Sequence, residues 1–69
     1  MGVHKTVEIM AESEKGWSEA AQKVVEEAAK TVKGIKSIWV KDQTAQVKNG
    51  KIDRYRVTCK VTFEVASKK

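Results

Sequence analysis

Ile35–Val65 reads I-K-S-I-W-V-K-D-Q-T-A-Q-V-K-N-G-K-I-D-R-Y-R-V-T-C-K-V-T-F-E-V, and this stretch decides the fold. Two alternating runs flank Asn49-Gly50, a pair suited to the positive φ angles of a tight hairpin turn. The second run is the cleaner. Tyr55, Val57, Cys59, Val61, Phe63 and Val65 fall on one face, and Arg56, Thr58, Lys60, Thr62 and Glu64 on the other. In the first run Ile38 and Val40 share a face opposite Ser37, Trp39 and Lys41. The alternation slips near Gln43-Thr44, because Val40 points inward but the next apolar residues are Ala45 and Val47. That offset predicts a bulge. The spacing therefore predicts two long strands, Ser37 to Lys48 and Ile52 to Val65. One sheet face is apolar and must be covered; the other is polar but carries a Trp.

Working outward, Val3 to Met10 alternates as a first strand, with Val3, Lys5, Val7 and Ile9 against His4, Thr6, Glu8 and Met10. At Ser13 the period changes. Ser13 is a suitable N-cap, with Glu14 in the first turn. Trp17, Ala20, Ala21, Val24, Val25, Ala28, Ala29, Val32 and Ile35 then recur at helical steps. Glu19 with Lys23, and Glu26 with Lys30, are i,i+4 pairs on the wet side. Gly34 suits the position after the helix end. The expected helix has about 20 residues and spans about 30 Å. Its Ala-rich stripe permits close approach to a sheet, and Trp17 belongs to the core or an interface. A short polar tail, Ala66 to Lys69, closes the chain.

Sixty-nine residues form one domain, 1–69, of strand-helix-strand-strand order. The fold class is α+β: a three-stranded antiparallel sheet wrapped around a single helix. So short a chain buries only about 60% of its unfolded surface. One Cys allows no internal disulfide, and no Cys/His cluster suits zinc. Cys59, on an apolar strand face, reads as a core thiol. Two long ribbons under one helix leave edges and apolar surface for other copies to shelter, so self-association is expected. No apolar run is long enough for a signal peptide or membrane span, which places the chain in the cytoplasm without a membrane partner. The net charge of +5 is dispersed and reads as solvated surface lysine.

The order of elements, V-E-I-M-A-E-S-E-K-G-W at Val7 to Trp17, K-T-V-K-G-I at Lys30 to Ile35, and Y-R-V-T-C-K-V-T-F-E-V at Tyr55 to Val65 resemble the dodecins. These are small proteins that assemble as hollow homododecamers and bind flavins. The resemblance spans nearly the whole chain. It implies a flavin storage or sequestration protein, without catalysis, whose cofactor is FMN or riboflavin. In flavin-binding members a Trp at the start of the second strand stacks on the isoalloxazine, and a Gln on the third strand hydrogen-bonds its pyrimidine edge. Here those positions fall on Ser37 and Arg56; an acidic residue that helps hold the ribityl chain matches Asp42. Ser37 offers no π surface, and stacking worth about 0.5–1.5 kcal/mol beyond area burial goes with it. Arg56 donates to the ring carbonyls but cannot accept from the ring N–H. Trp39 lies two residues on, same strand face, roughly 6.6 Å away. It is a displaced platform for a planar or anionic metabolite, or a contact with a neighbouring subunit.

The site residues are accordingly Ser37, Trp39, Arg56 and Asp42, shared in a pocket between subunits. The alternative is a structural shell that has lost flavin binding and takes metal ions or phosphate-bearing metabolites of the coenzyme A type at subunit junctions. Asp42, Asp53 and Glu64 are then carboxylates for symmetry to gather around a hard cation. A third reading, single-stranded nucleic acid on Trp39, Lys41, Arg56 and Lys60, is disfavoured, because one aromatic makes a thin platform and the charge is scattered. An enzyme is not expected: there is no nucleophile–base pair, phosphate loop or metal triad. His4 has no second ligand or catalytic partner in the sequence.

Overall fold

The computed structural model describes residues 2–65; the expected tail, 66–69, lies outside them. The four elements are β1 (Val3–Ser13), α1 (Trp17–Ala29), β2 (Ile35–Lys48) and β3 (Lys51–Val65). They form one antiparallel sheet in the order β1-β3-β2, with the helix across one face. The expected α+β arrangement is thus observed, with β3 at the centre. β1 pairs with β3 in unbroken register from Val3↔Val65 to Ser13↔Tyr55. The β2–β3 turn has Asn49 at φ 52° and Gly50 at φ 77°, both left-handed, as a two-residue I′ connection demands.

β2 is irregular in three places: between Ile35 and Ser37, Val40 and Asp42, and Gln46 and Val47. The middle break leaves Lys41 without a partner and sits just before the expected slip at Gln43-Thr44. Its consequence is a change of parity. Ser37 and Trp39 before it share the outer face with Asp42 and Thr44 after it, while Ala45 turns inward opposite Tyr55.

The core is made of small side chains. Ala20, Val24 and Ala28 of α1 lie on Val57, Cys59 and Val61 of β3, and all six are buried. Ile9, Ala11, Trp17, Ala21, Val32, Ile35 and Ile38 pack around them. Full burial of a valine is worth about 1.5–3 kcal/mol. Cys59 is a buried free thiol, and desolvation pushes its pKa above the ordinary thiol range. At one end Trp17 meets Tyr55 edge-on, with ring centroids 4.9 Å apart at 80°, a favoured aromatic geometry.

Both helix ends differ from expectation. Ser13 ends β1 rather than capping the helix, whose N-cap is Gly16. The Ser13 hydroxyl accepts the backbone N–H groups of Lys15 at 2.9 Å and Gly16 at 3.4 Å, and donates to the Glu19 carboxylate in the first helical turn. It therefore fastens the strand–helix loop from outside the helix. At the other end Lys30 is the C-cap, where tightened bonds from Lys30 to Glu27 and Thr31 to Ala28 close the helix. Gly34, at φ 75°, turns the chain into β2, and its carbonyl accepts the Glu64 N–H. Val32 and Ile35 reach the core from beyond the helix. The expected ion pairs are also rearranged. Lys23 donates to the Glu12 carbonyl, Lys30 pairs with Glu27, and Glu19 faces Lys15 at 4.0 Å.

The helix is thus 13 residues long, about 20 Å, under a molecule 57 Å in its longest dimension. The hairpin tip extends well past this lid. There Val47 and Ile52 face each other across the strands and remain 63% and 49% exposed.

Candidate functional site

The two pairings arrange the outer sheet face in rows. Along it run Thr6–Thr62–Ser37, then Glu8–Lys60–Trp39, then Met10–Thr58–Asp42, then Glu12–Arg56–Thr44. Ser37, Trp39 and Asp42 occupy consecutive rows on β2 and are exposed, Trp39 at 60%. The fourth expected residue, Arg56, lies one row beyond Asp42, at the opposite end of the set from Ser37. Its row is six β3 residues from that of Ser37, roughly 20 Å along the strand. One protomer therefore does not bring Ser37 and Arg56 onto one ligand.

Arg56 is also already engaged. Its Nε donates to Glu12 Oε2 at 2.8 Å, and its Nη2 donates to the same oxygen. Arg54 Nη1 donates to Glu12 Oε1 at 3.2 Å, and Arg54 also faces Glu14 at 3.8 Å. Glu12 and Arg56 lie directly opposite each other on β1 and β3. The carboxyl of Glu12 is held below its usual range, chiefly by the Arg56 hydrogen bonds. Desolvation opposes this, and Arg54 adds to it. The pairing fastens the end of β1 to β3 and gives the guanidinium a carboxylate counter-charge within the protomer.

Around Trp39 the electrostatics differ. Lys60, opposite it on β3, places its ammonium 5.9 Å from the indole centroid, within range of a cation–π attraction. Glu8 is the Lys60 neighbour on the other side, but its carboxylate is taken by Lys41 at 3.3 Å. Lys36 pairs with Glu64 at 3.5 Å. The face thus presents an exposed indole and an ammonium with no carboxylate partner among the described residues. Glu8 and Glu12 are the two residues that a reading of single strands missed. Their even positions on β1 put them on this face, but the β1–β3 register was needed to say whom they meet.

The carboxylates considered for a cation stand apart. Asp42 lies in mid-sheet, Asp53 beside Arg54 at 3.9 Å, and Glu64 against Lys36. Among the described residues no group of three or more His, Cys, Asp or Glu side chains is placed to hold a metal ion within one protomer. A groove of about 360 Å³ at the strand–helix junction is lined by Glu12, Ser13, Glu14, Glu19, Lys23 and Arg54 among others. Its charges of both signs neutralise one another, and it lies away from Trp39. No helix among the described residues is long and apolar enough to cross a membrane.

A family model described as Dodecin matches residues 3–66. Among solved structures, a protein from Thermus thermophilus superimposes with a TM-score of 0.92 at 26% identity, covering 99% of this chain and 100% of that one. A dodecin from Streptomyces coelicolor gives 0.88 at 19% identity, covering 97% and 96%, a likeness of fold. A Mycobacterium tuberculosis calcium dodecin, described as having a novel calcium-binding site, gives 0.78 at 31% identity, covering 97% and 96%. No curated protein matches the chain.

Proposed function

The chain belongs to the dodecin family, and from that premise we propose that it is a non-catalytic, cytoplasmic binding protein that works as a homododecamer. It holds a flavin, FMN or riboflavin, or a similar planar metabolite in the seams between subunits, for storage or sequestration. The observation that carries this reading is the combination of an exposed Trp39 on a polar sheet face with an apolar hairpin tip that the protomer leaves uncovered. The first is a stacking surface; the second gives copies a reason to associate. Ser37, Trp39 and Asp42 form the ligand side of each protomer. Arg56 approaches a ligand only from another copy, or after release from Glu12. Stacking of indole on isoalloxazine quenches flavin emission, so titration of riboflavin or FMN with micromolar protein tests the reading. Unchanged emission refutes it for flavins.

A second reading has one observation in its favour. Arg56 is spent on Glu12, and the resemblance sets Arg56 at the ring-binding Gln position and Ser37 at the stacking Trp position of flavin-binding dodecins. A shell that takes a divalent cation or a phosphate-bearing metabolite at subunit junctions fits these departures. Calorimetric titration of chelator-treated protein with calcium, and separately with coenzyme A, tests it; no heat from either ligand rejects it. Neither reading involves nucleic acid or a membrane as partner.

A further inference from the structure

We propose that Trp39 and Lys60 together form a charge-selective subsite, specific for planar aromatic ligands that carry an anionic group, phosphate or carboxylate. The inference rests on the small-molecule binding reading above and assigns its selectivity to Trp39 and to Lys60, a residue outside the expected set. Three observations lead to it. First, Trp39 stays 60% exposed even with the Lys60 ammonium 5.9 Å from its centroid, so the ring retains surface for a second planar partner. Second, Lys60 is directly opposite Trp39 on the central strand and only partly exposed. Third, the carboxylate beside Lys60, Glu8, is held by Lys41, and Glu64 by Lys36. Lys60 is therefore the cation on this part of the face that makes no ion pair among the described residues.

An ammonium packed against an aromatic ring is partly desolvated, and a ring ligand stacked on the same indole brings its anionic substituent within reach of a flexible lysine stem. The anion replaces lost hydration of the ammonium, and the stacking supplies orientation. A neutral planar ligand gains only the stacking. Arg56, although it has the stronger fork for a phosphate, is excluded by its bonds to Glu12 and by its distance along the strand.

The test compares riboflavin with riboflavin 5′-phosphate by fluorescence quenching at low salt, on the native assembly. The phosphate form is expected to bind about two- to fivefold more tightly, the scale of a partly exposed ion pair. That margin shrinks as ionic strength rises. Lys60→Gln removes the margin, so that riboflavin and its 5′-phosphate bind this variant equally. Lys48→Gln, which deletes the same charge at the hairpin tip, preserves the margin. Trp39→Ala weakens both ligands. If both flavins bind equally to the wild type and to Lys60→Gln, the subsite is refuted while the binding reading stands. If Lys48→Gln erases the margin as fully as Lys60→Gln, the preference belongs to overall charge, and the subsite is again refuted. If neither flavin binds, the flavin reading falls and the subsite falls with it.

Discussion

Replacing Val47 and Ile52 together by threonine tests whether the hairpin tip is an assembly surface. Threonine keeps the β-branched shape and strand preference and removes apolar character, so the hairpin itself should survive. Full burial of Val or Ile is worth about 1.5–3 kcal/mol. With 63% and 49% of the two residues still exposed, about half of that value, roughly 1 kcal/mol each, remains to be gained when a neighbouring copy covers them. The double variant should lose about 2 kcal/mol per protomer, close to a 30-fold weaker association at each contact. Sedimentation velocity across a dilution series reads this directly, with native mass spectrometry giving the subunit number. The variant should dissociate at protein concentrations at least an order of magnitude above those at which the wild type does. Identical dissociation ranges, or a wild type that is monomeric at micromolar concentration, would refute the reasoning from exposed area to association.

Val24→Ala should lower stability by about 2–3 kcal/mol, the transfer free energy of two methyl-sized groups plus the cavity they leave. In so small a domain that moves the thermal midpoint by on the order of 10 °C in a circular-dichroism melt; a shift under a few degrees would show that the helix is not the seat of the core. Glu12 has a depressed carboxyl pKa in the folded protein. Its contribution is therefore fully present above the unfolded-state carboxylate pKa and is lost as pH falls through the lower folded value. Urea melts at neutral pH and near pH 3 should show a smaller stability loss on acidification for Glu12→Gln than for the wild type, and equal losses would remove the linkage. Cys59, buried and with its thiol pKa raised, should react with a disulfide reagent only at the rate of unfolding. Rapid labelling of the native protein would contradict its placement.

Local patterns carried most of the fold. Asn49-Gly50 marked the turn, the alternation from Tyr55 to Val65 marked the covered face, and the repeat from Trp17 to Ala29 marked the helix. The misplacements have physical causes. Ser13 has the chemistry of an N-cap, but hydroxyl capping also serves loops. Its burial against the helix, with Glu19 as acceptor, depends on where β1 lands on the sheet. The helix stops at Ala29 although apolar spacing runs to Ile35, because Val32 and Ile35 reach the same core from a loop and a strand. At the site, strand parity placed Ser37 and Trp39 on one face. Asp42 joined them only because Lys41 bulges. The separation of Ser37 from Arg56, and the capture of Arg56 by Glu12, depend on registers between distant segments, which no single segment encodes.

The position of β3 between β1 and β2 has a kinetic consequence. Neither outer strand has a partner until the last of the four elements arrives, since β1 and β2 bond only to β3. The nearest such pairing, the β2–β3 hairpin, closes locally; joining β1 to it spans most of the chain and carries the loop-closure entropy of a long excursion. The hairpin is therefore expected to form first, with β1 docking later and bringing Glu12 to Arg56; φ-values near zero at β2–β3 contacts would refute this order. Until then β1 has no strand partner, and its backbone donors and acceptors are left to water. If copies associate as proposed, the order of these two events decides whether they meet as finished subunits or as loose ribbons.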